Sequence, residues 1–388
     1  MSEVTNIPQL RFPEFSDEWE EKKLGDVTSW SSGGTPSKAV PHYWNGKIPW
    51  ISASSMKGKY FIDSKLKITL EGLKAGSKLA PKNSILLLVR GSMLFKKIPF
   101  GLAETDVAFN QDVKCLKVLG ESTFDFIYYW FCHSENHLLN MVTGTGIGAG
   151  KLETSYVQLM NVNIPEFLEQ EKIAAFLTTV DNKIEQLSKK QELLKEYKKG
   201  LMQQIFSQAT RFKADDGCDF PDWEEKKLGD VSVRGTSNIS ANQLEDNNGD
   251  YKIYGAAGHL KNIDFYTEED CYVAIVKDGA GVGRIMLLES KTSVLGTLAI
   301  IKAKQGNDIN FLYWLIQTIN FRKYVVGSTI PHIYYRDYQA EKLRIPSLSE
   351  QTKIANFLSF IDSKIEQVGK QLDESKQFKK ALLQQMFV

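Results

Sequence analysis

Apolar residues recur at steps of four and three along two stretches of this chain. In residues 164–206 they fall at Ile173, Leu177, Val180, Ile184, Leu187, Leu194, Leu201 and Ile205, with Gln191 and Lys198 as polar interruptions. In residues 345–387 they fall at Ile354, Leu358, Ile361, Ile365, Val368, Leu372, Leu382 and Met386, interrupted by Ser375 and Lys379. A seam of period about 3.5 residues, held over about five heptads, predicts a coiled coil. Each helix can start near Glu169 or its counterpart and would run for about 38 residues, roughly 57 Å at 1.5 Å per residue. Off-seam charges such as Lys189, Lys190, Glu192, Lys195, Glu196 and Lys199 predict a solvated or partner-facing surface. The polar seam residues are candidates for fixing the pairing register.

The two helical stretches are copies of one another. Residues 164–206 align without a gap on 345–387, and 22 of the 43 positions are identical. A second copied segment precedes each of them: WEEKKLGDV occupies residues 19–27 and returns unchanged at 223–231. Between the copied segments the two inserts differ almost completely. The chain therefore divides into an N-terminal segment 1–18, insert 19–163, helix 164–207, linker 208–222, insert 223–344 and helix 345–388. A repeat of this size governs the whole fold. A duplicated unit packs most simply on itself about a pseudo-two-fold axis, which makes the two helices antiparallel. The alternative is an ordinary two-helix hairpin buried in a larger core.

The inserts read as mixed α/β with many short strands, giving an α+β chain of two such domains joined by two long helices. In the first, residues 31–38 are turn-rich, and residues 84–89 form an apolar run that ends at Arg90-Gly91. In the second, residues 272–276 end at Lys277-Asp278-Gly279, so each copy delivers a basic residue from a buried strand to a glycine turn. Residues 126–130 and 311–314 match as aromatic-rich helices whose rings belong to the core. The glycine run 279–283 is not a phosphate loop, because RIMLLES after it reads as a strand and the anion site needs a helix N-terminus. A turn or bulge is expected there, with Arg284 left as a phosphate or base contact.

Composition changes this picture little. The 388 residues are 42% hydrophobic and 24% charged with a formal net charge of +1, as in ordinary soluble globular proteins. No apolar run is long enough for a membrane span, and the N-terminal residues do not read as a signal peptide. The four cysteines are dispersed and are expected as free thiols in a reducing cytoplasm. Charge is unevenly placed, with 17 basic residues against 12 acidic over 19–163 and 15 against 15 over 223–344. Residues 57–97 hold ten basic side chains and only Asp63 and Glu71 as acids, a polyanion footprint or a lysine-rich solvated surface.

Catalytic signatures are absent: there is no GxxxxGK[ST], no HExxH and no Pro-Pro dipeptide. Pro221-Asp222 with Glu225 and Lys227 is too tightly spaced for a nuclease site and falls at the copied entry segment. His133 and His137, with Cys132 beside them, have helical metal-binding spacing but no third ligand, so a core or surface role is expected.

The paired WEEKKLGDV entries and the helix starts IPEFLEQEKIAAFL and IPSLSEQTKIANFL, together with SGGTPS…YWNGKIPWIS and FNQDVKCL in the first insert, resemble the specificity subunit of type I restriction–modification systems. The likeness spans essentially the whole chain. It implies that each insert is a target-recognition domain for one half of a bipartite DNA site and that the helices set the gap. Two methyltransferase subunits carrying S-adenosylmethionine would dock on this chain. Restriction–translocase subunits, with ATP and Mg, would complete the complex. No cofactor is implied on this chain, which would be non-catalytic. The candidate DNA contacts are Thr35, Lys38, Lys57, Lys59, Lys65, Lys67, Lys78, Arg90, Lys96 and Lys97 in the first insert. In the second they are Arg234, Lys277, Arg284, His332, Tyr334, Tyr335 and Arg336. Two other classes compete with this reading: an enzyme acting on nucleic acid alone, and a coiled-coil scaffold that binds only proteins.

Overall fold

The computed structural model describes residues 6–146 and 148–388 and divides into two units, Met1–Leu187 with Gln371–Val388, and Ser188–Lys370. The main elements of the first, in chain order, are β1 (Glu20–Lys23), β2 (Thr28–Ser32), β3 (Ile85–Leu88), β4 (Phe100–Ala103), β5 (Val113–Val118), α1 (Phe124–Asn140), β6 (Asn161–Ile164) and the first half of α2 (Phe167–Phe206). The second holds the rest of α2, then β7 (Glu224–Lys227), β8 (Ser232–Thr236), β9 (Tyr272–Val276), β10 (Ile285–Leu288), β11 (Leu298–Ala303), α3 (Ile309–Ile316), β12 (Lys342–Ile345) and the start of α4 (Leu348–Met386). The end of α4 returns to the first unit.

The copied nine residues have a structural reason. Their charged strands lie at the surface, while Trp19, Leu24 and Val27, and again Trp223, Leu228 and Val231, are buried. β1 pairs antiparallel with β6, Glu20 facing Ile164, and β7 pairs with β12, Glu224 facing Ile345. Each insert thus enters and leaves through one two-stranded ribbon. Within it lies a sheet whose strands run antiparallel in the order β2–β5–β3–β4 in the first unit, with Tyr60–Phe61 as a fifth strand parallel to β4, and β8–β11–β9–β10 in the second. β3 and β9 lie between neighbouring strands and are wholly buried, as their uninterrupted apolar runs require. The remaining strands diverge. Trp44–Ile51 and Val107–Phe109 belong to a four-stranded sheet of the first unit, whereas Tyr251–Gly255 and Gly258–Ile263 form most of a three-stranded one in the second.

The aromatic helices are core elements, as expected from sequence. Phe126 and Tyr129 of α1 and Phe311 and Trp314 of α3 are each at most 1% exposed. Three rings meet in each unit. Trp19 lies 5.8 Å from Phe126 and 6.2 Å from Phe387, and Trp223 lies 6.3 Å from Phe311 and 6.5 Å from Phe206. Phe206 and Phe387 are copies of each other, so the core around each insert is closed by the end of the other repeat's helix.

The heptad seam is realised. Every seam position, Gln191, Lys198, Ser375 and Lys379 included, is at least partly buried. In the first unit Lys379 Nζ reaches Asp181 at 2.5 Å, while Ile173 and Leu177 share a core with Leu382 and Met386. In the second unit Lys198 pairs with Asp362 and Gln191 lies beside Gly369. In both, one helix advances as the other retreats, so the pairing is antiparallel. The shift that carries Ile164 onto Ile345 also carries Asp181 onto Asp362 and Lys198 onto Lys379: one ion pair occurs twice. The lysines that interrupt the seam are therefore its polar register contacts.

The glycine run behaves as a turn. Gly279, Gly281 and Gly283 have φ of +79°, +91° and +83°, and β10 after them pairs back onto β9. No helix among the described residues is long and apolar enough to cross a membrane.

Candidate nucleic-acid interface

The helices hold the inserts through a motif that sequence reasoning left without a role. Glu169 and Gln170, and their copies Glu350 and Gln351, are at most 1% exposed. Arg11 grips Glu169 through Nε and Nη2, both at 2.8 Å. Arg211 grips Glu350 in the same way at 3.4 and 2.9 Å. The neighbouring Phe12 packs edge-on against Phe176, and Phe212 against Phe357. The segment before the first insert and the linker before the second are thus equivalent clamps. The repeated Arg-Phe at 11–12 and 211–212 was the signal. Gln170 donates to the Pro165 carbonyl and accepts from the N–H of Thr123, the residue that caps α1. Gln351 does the same with Pro346 and Asp308, the cap of α3.

Of the basic footprint in the first unit, Lys57, Lys65, Lys78, Arg90, Lys96 and Lys97, with Lys38, are exposed and make no ion pair among the described residues. Thr35 is exposed and donates to Gln111 Oε1 at 2.7 Å. Lys67 is tied to Asp63 at 2.9 Å. Lys59, also named as a candidate DNA contact, differs from them in being partly buried and partnered within the unit. Its ammonium donates to Tyr129 Oη at 2.8 Å and Thr178 at 3.2 Å and lies 3.7 Å from Asp181. Burial lowers its pKa in spite of that carboxylate. Its charge serves the junction of α1 and α2.

In the second unit three loops come together beyond the end of β9. Arg284 donates from Nη1 to the Ala256 carbonyl at 2.6 Å. The Gly279 N–H donates to Pro331, and Ile333 N–H donates to Lys277, both at 2.9 Å. His332 Nδ1 lies 2.7 Å from Asp278 Oδ1. Arg336 sits 4.9 Å from the centre of the Tyr334 ring, and both are exposed. Arg234 is exposed on β8, which edges the main sheet. Tyr335 is partly buried, with its hydroxyl 3.1 Å from Ser232 Oγ and its ring packed on Tyr338.

The backbone also corrects how the two glycine turns correspond. Val89 N–H donates to Asp112 and Val89 accepts from Leu152, while Lys277 N–H donates to Thr297 and Lys277 accepts from Ile333. Val89 therefore matches Lys277. Arg90, which faces Lys151, matches Asp278, which faces His332. The basic residues of the two turns are one place out of step. His133, weighed above as a metal ligand, has its ring nitrogen 2.8 Å from the Leu383 carbonyl and stacks on Phe387; it serves packing.

Two closed inserts in one duplicated frame, each presenting basic side chains on loops, define a chain built to hold two separate binding surfaces. Residues 16–196 and 221–374 match the family described as the type I restriction modification DNA specificity domain, and the chain belongs to that family. The specificity subunit of the type I restriction enzyme EcoR124I/EcoR124II of Escherichia coli is 34% identical over 175 residues, 44% of this chain and 43% of that protein. The specificity subunit of the MjaIX type I restriction enzyme of Methanocaldococcus jannaschii is 24% identical over 414 aligned positions, 98% of this chain and 95% of that protein. In fold, the chain is similar to the type I restriction–modification S subunit from M. genitalium, with a TM-score of 0.68 at 17% identity over 98% of this chain and 99% of that one.

Proposed function

We propose that this chain is the non-catalytic specificity subunit of a type I restriction–modification complex, each insert reading one half of a bipartite double-stranded DNA site. The observation that carries the reading is the pairing of a repeated frame with two unlike inserts, in a chain of the DNA specificity family. Phosphate contacts from lysines would position each unit, and side chains on the loops would read base edges. Two methyltransferase subunits would supply S-adenosylmethionine, and restriction subunits would supply ATP- and Mg-dependent chemistry. The work place would be the cytoplasm, where the chromosome lies. The helices, at 40 and 39 residues, would be about 60 Å long, ample for two half-sites a helical turn apart. They would set the gap.

The test is reconstitution with the methyltransferase partner, followed by methylation sequencing of a randomised plasmid library. A bipartite motif whose first half changes when residues 31–163 are exchanged, and whose gap changes when residues are inserted into α2, supports the reading. Methyl transfer or cleavage by the purified chain alone would show an enzyme instead. A complex that protects no bipartite DNA would leave a protein-only scaffold.

A further inference from the structure

The one-residue mismatch between the glycine turns places unlike chemistry at equivalent points. In each unit a wholly buried strand ends, its next residue is tied by two backbone hydrogen bonds, and the following residue faces a partner across a short bridge. The glycines after it, Gly91 and Gly279, both have positive φ, +151° and +79°, a shape open to glycine and costly for others. The turn is thus the same device twice. At its exposed corner the first unit carries Arg90 facing Lys151, and the second carries Asp278 facing His332.

The surroundings are basic in both. Lys96 and Lys97 follow Arg90 after the short turn Ser92–Phe95; Lys277 and Arg284 lie on the loops about Asp278, and Arg336 lies on the short helix Tyr335–Tyr338, 3.6 Å from Asp337. Such flanks neutralise phosphates and fix position. The corner residues differ in kind. Arg90 is exposed, makes no side-chain hydrogen bond or ion pair among the described residues, and offers only donors in a planar fork. Lys151 is turned to Glu153 at 2.5 Å, so it does not compete for the same acceptor. Asp278 offers only acceptors when ionised. Oδ1 is held at 2.7 Å by His332, which leaves Oδ2 without a partner among the described residues, on a carboxyl side chain that is 33% exposed.

We propose that this corner is a specificity-determining position in each unit: Arg90 reads the paired acceptors of a guanine in one half-site, and Asp278, oriented by His332, accepts from the amino group of a cytosine in the other. Guanine O6 and N7 match an arginine fork, and cytosine N4 matches a carboxylate. The inference rests on the specificity-subunit reading. His332 is a positioning residue, since it acts through Asp278.

The experiment uses the full complex with its methyltransferase partner on a library randomised across the wild-type target. Arg90→Lys keeps the charge and loses the fork. It should still methylate, with preference for guanine at one position of one half-site reduced on the order of 10-fold and the other half-site untouched. Asp278→Asn should alter one cytosine position of the other half-site alone. His332→Ala should slow methylation of that half-site while keeping its base preference. Variants that slow methylation uniformly across all sequences with the motif unchanged overturn the inference, because they mark phosphate contacts or scaffold. A change in the half-site opposite to the one expected overturns it as well. A wild-type complex with no bipartite motif overturns the specificity-subunit reading itself, and the inference with it. Melting curves matched to wild type make these outcomes decisive.

Discussion

Replacing Phe387 by alanine should open the first unit, although its core partners lie more than 250 positions earlier in the sequence. Phe387 is 4% exposed, stacks at 5.2 Å on Phe126 and at 5.6 Å on His133, and meets Trp19 edge-on. Deleting a buried phenylalanine side chain costs about 3–5 kcal/mol, a range that includes the cavity left behind. With rings on three sides there is little to collapse into the space, so we expect about 4 kcal/mol. At tenfold per 1.4 kcal/mol, that is on the order of a thousandfold faster exchange for amides that exchange by opening of the whole unit. A single melting temperature is a poor measure for two units. The assay is amide hydrogen exchange read by segment. Protection should fall in α1 and β3 and hold in α3 and β9. Phe206→Ala should do the converse. If Phe387→Ala loosens only the last turn of α4 and leaves α1 protected, the closure of each core by the other repeat's helix is wrong.

Gly200→Ala should raise stability by about 0.5–1 kcal/mol, the helix-interior cost of glycine, since an added Cβ meets nothing within 4 Å and the copied position holds Ala381; a lower urea midpoint would contradict this. Arg211→Met strands the fully buried Glu350 carboxylate and should cost about 3–5 kcal/mol in the second unit, and a loss below about 0.5 kcal/mol, the level of a surface change, would mean that the clamp does not matter. Cys132 should resist a maleimide at pH 8 while Cys218 and Cys271 react, because burial pushes its thiol up to about 11 and the other two cysteines are exposed; fast labelling of Cys132 in the folded protein would refute it.

The long helices could be read because a period repeated over many residues averages out local exceptions. The ribbon ends could be read because they are copied outright. The Arg11 and Arg211 clamps escaped notice: a two-residue match is weak, and each partner glutamate lies 158 or 139 positions away. Lys59 looked like its neighbours because a lysine's charge says nothing of its partners until the fold brings Tyr129, Thr178 and Asp181 to it. The correspondence of Arg90 with Asp278 was hidden by inserts of unequal length. Only cross-strand hydrogen bonds fix that register, and sequence spacing placed it one residue off. Tyr335 fell in a segment, HIYYR, that passes from extended chain at His332–Tyr334 into a short helix at Tyr335, with Ile333 buried, Tyr335 partly buried, and Tyr334 and Arg336 exposed.

The ribbon that closes each insert has a thermodynamic consequence. It brackets residues 24–160 in one case and 228–341 in the other, 137 and 114 residues, yet pairs in the same way. The entropy of bringing two chain ends together grows only with the logarithm of the length between them, so this difference amounts to about 0.2 kcal/mol. The frame is therefore nearly indifferent to how long its contents are. What a new insert must satisfy is local: a core that accepts one tryptophan from the entry segment and one phenylalanine from the end of a helix, and a capping N–H for the buried glutamine. Two inserts of unlike sequence already meet those terms in one chain.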